Sequence, residues 1–238
     1  RTNGRVLAGS PGVKNWPAIR SAAEIPPWEG IRLVANRLCE LLGALGDLGP
    51  AAGPAGLRYA CVKMALACSE AQLIAAHEYR GTYRERWERQ ARVAACFSAP
   101  HNALIEAAYR AKLAGGGPGL APDTGALVAA VLDLAVATLT GFSLRTPGDL
   151  AARVRAEAPA APGLATDLAF YIKQRIRGRS VAPRRAIAEV YAAAYQLVAD
   201  LPPHGFRVPP AACRAVARRY HAAVQLVSVI PPGAPWWP

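Results

Sequence analysis

Lysine is scarce in this 238-residue chain, occurring only as Lys14, Lys63, Lys112 and Lys173, so nearly all of its 28 cations are arginine. Paired-cysteine spacing is missing too. Cys39, Cys61, Cys68, Cys96 and Cys213 are odd in number and contain no CxxC, which argues against a disulfide frame or a zinc site. Free cysteines within apolar patterns behave as small hydrophobes, and the expected setting is reducing and cytoplasmic. His77, His101, His204 and His221 make neither HExxH nor HxH. The chain also lacks GxSxG, GxxxxGK[ST] and GxGxxG, which removes the usual hydrolase, phosphate-loop and dinucleotide signatures. No complete catalytic site can be assembled from its motifs.

What is present is apolar and helical. Apolar residues make up 53% of the chain and charged residues 18%, enough for a sizeable core and too apolar for general disorder. The net charge of +12 invites an anionic partner such as nucleic acid or a nucleotide. An Arg-, Ala-, Gly- and Pro-rich composition also follows from a GC-rich genome, so charge alone does not name that partner.

In "GIRLVANRLCELLGAL", Ile31, Val34, Leu38, Leu41, Leu42 and Leu45 recur at three and four residues, the spacing of one helix face. The same periodicity predicts helices over 28–48, 57–79, 83–97, 103–114, 124–142, 147–158, 163–177, 183–201 and 209–230. Pro147 and Pro209 are placed to open helices, where a missing N–H costs nothing. No stretch alternates as a strand would, apart from a short extended lead around "GRVLAG". The expected fold is all-α, a helical bundle, with a lead over 1–27, a helical subdomain over 28–115 and a second, more basic one over 120–238. The Gly-rich "GGGPG" at 115–119 marks the division. The run "GALVAAVLDLAVATLTGFSL" is long enough to span a membrane, but Asp133 near its middle favours a buried core helix and no membrane partner.

Four groups of polar residues stand out. Asn36 and Arg37 interrupt the first apolar helix. Tyr59, Lys63, Glu70 and His77 fall at offsets that return to one side of the next, as an internal polar seam meeting Asn36 and Arg37 or as the lining of a ligand cleft. "HEYRGTYRERWERQARV" carries Arg80, Arg84, Arg86, Arg89 and Arg92 beside Glu78, Glu85 and Glu88. There Glu85–Arg89 and Glu88–Arg92 suit i,i+4 pairing on a solvated face, with Tyr79, Tyr83 and Trp87 turned inward, or an arginine cluster facing phosphate. Finally, Lys173, Arg175, Arg177, Arg179, Arg184 and Arg185 form a run without an acid. From 145 onward thirteen Lys/Arg stand against five Asp/Glu, so this run is a candidate nucleic-acid contact or a solvated corner.

The order of "GRVLAG" (Gly4–Gly9), "GIRLVANR" (Gly30–Arg37), Tyr59–Lys63 and Tyr79–Arg86 resembles the helical region that follows the catalytic core in bacterial nucleotidyltransferase-like proteins, over roughly residues 4–95. The resemblance implies that a Gly-Ser turn and an acidic pair, which bind nucleoside triphosphate and divalent metal, lie upstream of Arg1. This chain holds no Asp-x-Asp or Asp-x-Glu. By the same resemblance it is a helical accessory domain, inactive alone, partnered by the upstream catalytic domain. Asn36, Arg37, Lys63, Glu70, Tyr83, Arg84 and Arg86 are then its substrate or domain-interface residues. Two other readings stay open. One is an adaptor that binds nucleic acid or protein through arginine-rich surfaces. The other is a HEPN-type ribonuclease, which the spacing of Arg214 and His221 resembles, although Ala215 stands where that signature has a polar residue. Trp236 and Trp237 suit docking on the core or on a partner equally.

Overall fold

The computed structural model describes residues 25–46, 54–114, 123–157, 185–199 and 209–227. Over these the chain is all-α. Eight helices are seen among the described residues: α1 Pro27–Leu45, α2 Pro54–Ala75, α3 Tyr83–Arg89, α4 Ala99–Leu113, α5 Thr124–Gly141, α6 Pro147–Glu157, α7 Arg185–Ala199 and α8 Pro210–Val227. The extended lead, the expected helix over 163–177, Trp236–Trp237 and the side chains of the basic run from Lys173 to Arg185 lie outside the described residues.

Local chemistry sets the helix ends. Thr82 and Glu85 form a reciprocal capping box at the start of α3, with Glu85 N–H donating to Thr82 Oγ1 (3.3 Å) and Thr82 N–H to Glu85 Oε2 (3.0 Å). Ser98 caps α4 and Asp123 caps α5 through their side-chain oxygens. Helix α2 stops at Ala75, short of the expected Tyr79, because His77 turns left-handed (φ +58°). Glu78 N–H then reaches back to the Leu73 carbonyl at 2.8 Å, a Schellman-type ending with histidine in the place glycine usually takes. The expected helix over 83–97 breaks after Arg89 into two single 3₁₀ turns, Gln90–Arg92 and Ala94–Cys96. Asn102 Nδ2 donates to the Ala94 and Phe97 carbonyls at 2.9 and 3.2 Å, satisfying groups that this break exposes.

Helix α1 lies at the centre, against α2 on one side and α7 and α8 on the other, while α2 also touches α4 and α5 and α6 packs on α7. Val34, Leu38, Leu41 and Leu42 of α1, Met64 and Leu73 of α2, Leu132 and Leu139 of α5, and Tyr195 of α7 are all buried in one continuous core. Helices on both sides of 115–119 contribute to it. Among the described residues α5 alone is long and apolar enough to cross a membrane; here Leu127, Val131, Leu132, Leu134 and Leu139 are buried, and Asp133 faces out to pair with His101.

The antiparallel crossing of α1 and α2 depends on Gly30. A Cβ there would lie 2.8 Å from Ala71 Cα and 3.0 Å from its carbonyl oxygen, so the two backbones touch. Gly30→Ala improves helix propensity by about 1 kcal/mol, yet it should lower stability by about 1–3 kcal/mol because the helices must move apart. Urea unfolding tests this, and an unchanged or raised midpoint would refute so close a crossing.

Candidate functional site

The polar side chains of α1 and α2 meet through an acid that the sequence analysis did not single out. Glu40, one turn beyond Arg37, accepts from Arg37 Nη1 on both carboxylate oxygens at 2.6 Å and from Lys63 Nζ at 3.1 Å. One carboxylate therefore serves two cations from two helices. Burial holds Lys63 below the usual lysine range; the Arg37 and Lys112 charges push the same way and Glu40 opposes them.

Glu70 does not join that group as an ion-pair partner. About two turns beyond Lys63 on α2 it is buried and pairs with Arg86 of α3, Nη1 to Oε1 at 2.5 Å. Arg86 was expected on a solvated face, but it is only 6% exposed. Its Nε donates to the Thr82 carbonyl at 3.1 Å and its Nη1 also to the Tyr79 hydroxyl at 3.0 Å. The guanidinium lies over the Tyr83 ring at 4.1 Å and the Tyr79 ring at 5.0 Å. Burial raises the Glu70 carboxyl, opposed first by Arg86 and then by Arg37 and Lys112. The expected Glu85–Arg89 and Glu88–Arg92 pairs give way to other partners. Glu85 is taken by the capping box, and Arg89 and Arg92 both turn to Glu78, at 3.0 and 2.9 Å.

Tyr59 and Lys112 complete this side. Lys63 Nζ lies 5.4 Å and Lys112 Nζ 5.8 Å from the Tyr59 ring centroid, and Lys112 is also 5.1 Å from that of Tyr83. Arg37, Lys63, Arg86 and Lys112 thus face Glu40 and Glu70, two more positive charges than negative. The cluster offers fixed positive charge and ring faces, suited to holding an anion. It has no nucleophile–base pair of its own, and among the described residues no group of three or more His, Cys, Asp or Glu could hold a metal.

Other sequence candidates are elsewhere. Asn36 turns away from Lys63 toward α7 and α8, where its Oδ1 accepts from the hydroxyls of Tyr191 (2.5 Å) and Tyr220 (3.2 Å). It also borders a shallow cleft of about 450 Å³ shared with Arg32, Leu33, Ile74 and Tyr79. His77 is off the α2 line because of its left-handed turn, and Arg84 is exposed. On α8, Arg214 sits against Gly46 and the exposed His221 ring lies 5.8 Å from that of Tyr220. Sequence reasoning missed Glu40 and Lys112. The i,i+3 spacing of Glu40 from Arg37 is a usable signal, whereas Lys112 on α4 leaves none. No protein-family model, curated protein or solved structure matches this chain.

Proposed function

We propose that this chain is the helical, substrate-positioning domain of a nucleotidyltransferase-like protein, with the triphosphate- and metal-binding core in an upstream domain of the same protein. One observation supports the reading. The three helical stretches that carry the resemblance supply Arg37, then Lys63 and Glu70, then Tyr79, Tyr83 and Arg86, and these meet on one side of the bundle through Glu40 and the buried Arg86 pair. Side chains fixed by such pairs can hold a substrate in a reproducible orientation, which is what a domain completing another's active site contributes.

The test is transfer of label from an α-³²P nucleoside triphosphate with Mg²⁺, using the gene product extended upstream of Arg1. Incorporation is expected for the longer protein and none for this chain alone. Arg37→Gln should raise KM more than it lowers kcat, because the guanidinium orients rather than reacts. Transfer unaffected by Arg37→Gln and Lys63→Gln together, or no transfer by the longer protein, would overturn the reading. The second result would leave the adaptor role.

A further inference from the structure

Two of the chain's four lysines, 49 residues apart in sequence, converge on one tyrosine ring. That ring, Tyr59, is 46% exposed and is the only large hydrophobic side chain left exposed among the described residues. In a chain whose cations are nearly all arginine, lysine was not the default for these two positions. Lys112 is placed between two rings, Tyr59 and Tyr83, and among the described residues no carboxylate forms an ion pair with it. The two acids of the cluster are engaged elsewhere, Glu40 by Arg37 and Lys63 and Glu70 by Arg86. A half-exposed ring, a second ring and a cation between them repeat the alternation of base and phosphate along a single strand.

We propose that Tyr59, Lys112 and Tyr83 form a binding site for single-stranded nucleic acid, with a base stacking on Tyr59 and the adjoining phosphate held by Lys112. A strand fits better than a lone nucleotide because Lys112 links two ring surfaces rather than closing one pocket. The site needs only residues of this chain and does not depend on the transferase reading.

Fluorescence anisotropy with a labelled octanucleotide, (rA)8, competed by unlabelled AMP, tests it on the chain as it is. The strand should bind with an affinity that falls as salt rises, and AMP should compete at least tenfold less well. Tyr59→Ala should weaken strand binding about five- to hundredfold, the usual worth of one stacked base. Tyr59→Phe should retain it, and Lys112→Gln should lower both the affinity and the salt slope. Tyr59 is exposed and Lys112 half-buried, and unchanged circular dichroism confirms that the variants fold. Three results would overturn the proposal: no strand binding at millimolar concentration, AMP binding as tightly as (rA)8, or affinities within twofold of the parent in Tyr59→Ala and Lys112→Gln.

Discussion

Arg86→Met is expected to destabilise the chain by about 3–5 kcal/mol, the usual cost of removing one partner from a buried ion pair. Glu70 and Arg86 are 7% and 6% exposed, and removing the guanidinium leaves a buried carboxylate without its ion-pair partner, opposed only by the Arg37 and Lys112 charges. It also removes the donors to the Thr82 carbonyl and the Tyr79 hydroxyl. The apolar replacement keeps much of the side-chain volume, so the loss would come from charge and hydrogen bonding rather than from a cavity. Two further results identify the cause. Adding Glu70→Leu should restore most of the lost stability, since a buried pair replaced by apolar groups is often neutral. In the single variant the loss should shrink as pH falls toward the ordinary carboxyl range. Glu70, raised by burial and now without Arg86, takes up its proton in the folded state before the unfolded chain does, so stability rises as pH falls through that window. Urea midpoints at pH 7.5 and 5 measure both effects. A loss below about 1 kcal/mol would mean that Arg86 is solvated after all.

That result also bears on how much the sequence could say. The apolar periods of α1 and α5 located those helices because their spacing is a local property, and Pro147 opened α6 as expected. The charged stretch 77–93 was legible only in part. Thr82 and Glu85 spell a capping box in the sequence itself, and that box takes Glu85 away from Arg89. By contrast, nothing local distinguishes Arg86 from Arg84, Arg89 or Arg92. Its burial follows from the rotation of α3 that packs Tyr83 on the core and points Arg86 at Glu70, a residue of another helix. Asn36 is the extreme case: its partners Tyr191 and Tyr220 lie 155 and 184 residues away, beyond any pattern read along the chain. Helices are written in short-range spacing, whereas the polar cluster exists only once the helices have met.

The same burial that shaped the core should make the fold fail at high pH. Removal from water raises every buried thiol and several phenols: Cys61 and Cys68 to about 12, Cys213 to about 11 and Tyr109 to about 12, with Cys39, Tyr191 and Tyr220 raised further. In the unfolded chain these groups ionise near 9.0 for thiols and 10.0 for phenols. Above pH 9 the unfolded chain therefore gives up protons that the folded chain keeps, and stability must fall as pH rises. It is fully present below pH 9 and is lost on the way to the folded values. Each such group contributes about 1.4 kcal/mol per pH unit, so the four buried thiols, Cys39, Cys61, Cys68 and Cys213, approach roughly 5 kcal/mol per unit once well past 9. Against a domain stability of about 5–15 kcal/mol, the helices should melt cooperatively near about pH 11. Lys63 acts in the opposite sense, because its lowered value makes the folded state the poorer proton binder, but it is one group against eight, Tyr79 being raised as well. Circular dichroism at 222 nm under reducing conditions follows the transition. Cys96, the exposed thiol, should react with a thiol reagent at pH 8 while the four buried ones do so only as the helices are lost. Helix content unchanged at pH 12, or five thiols reacting at one rate at pH 8, would show that these cysteines are not sealed in the core.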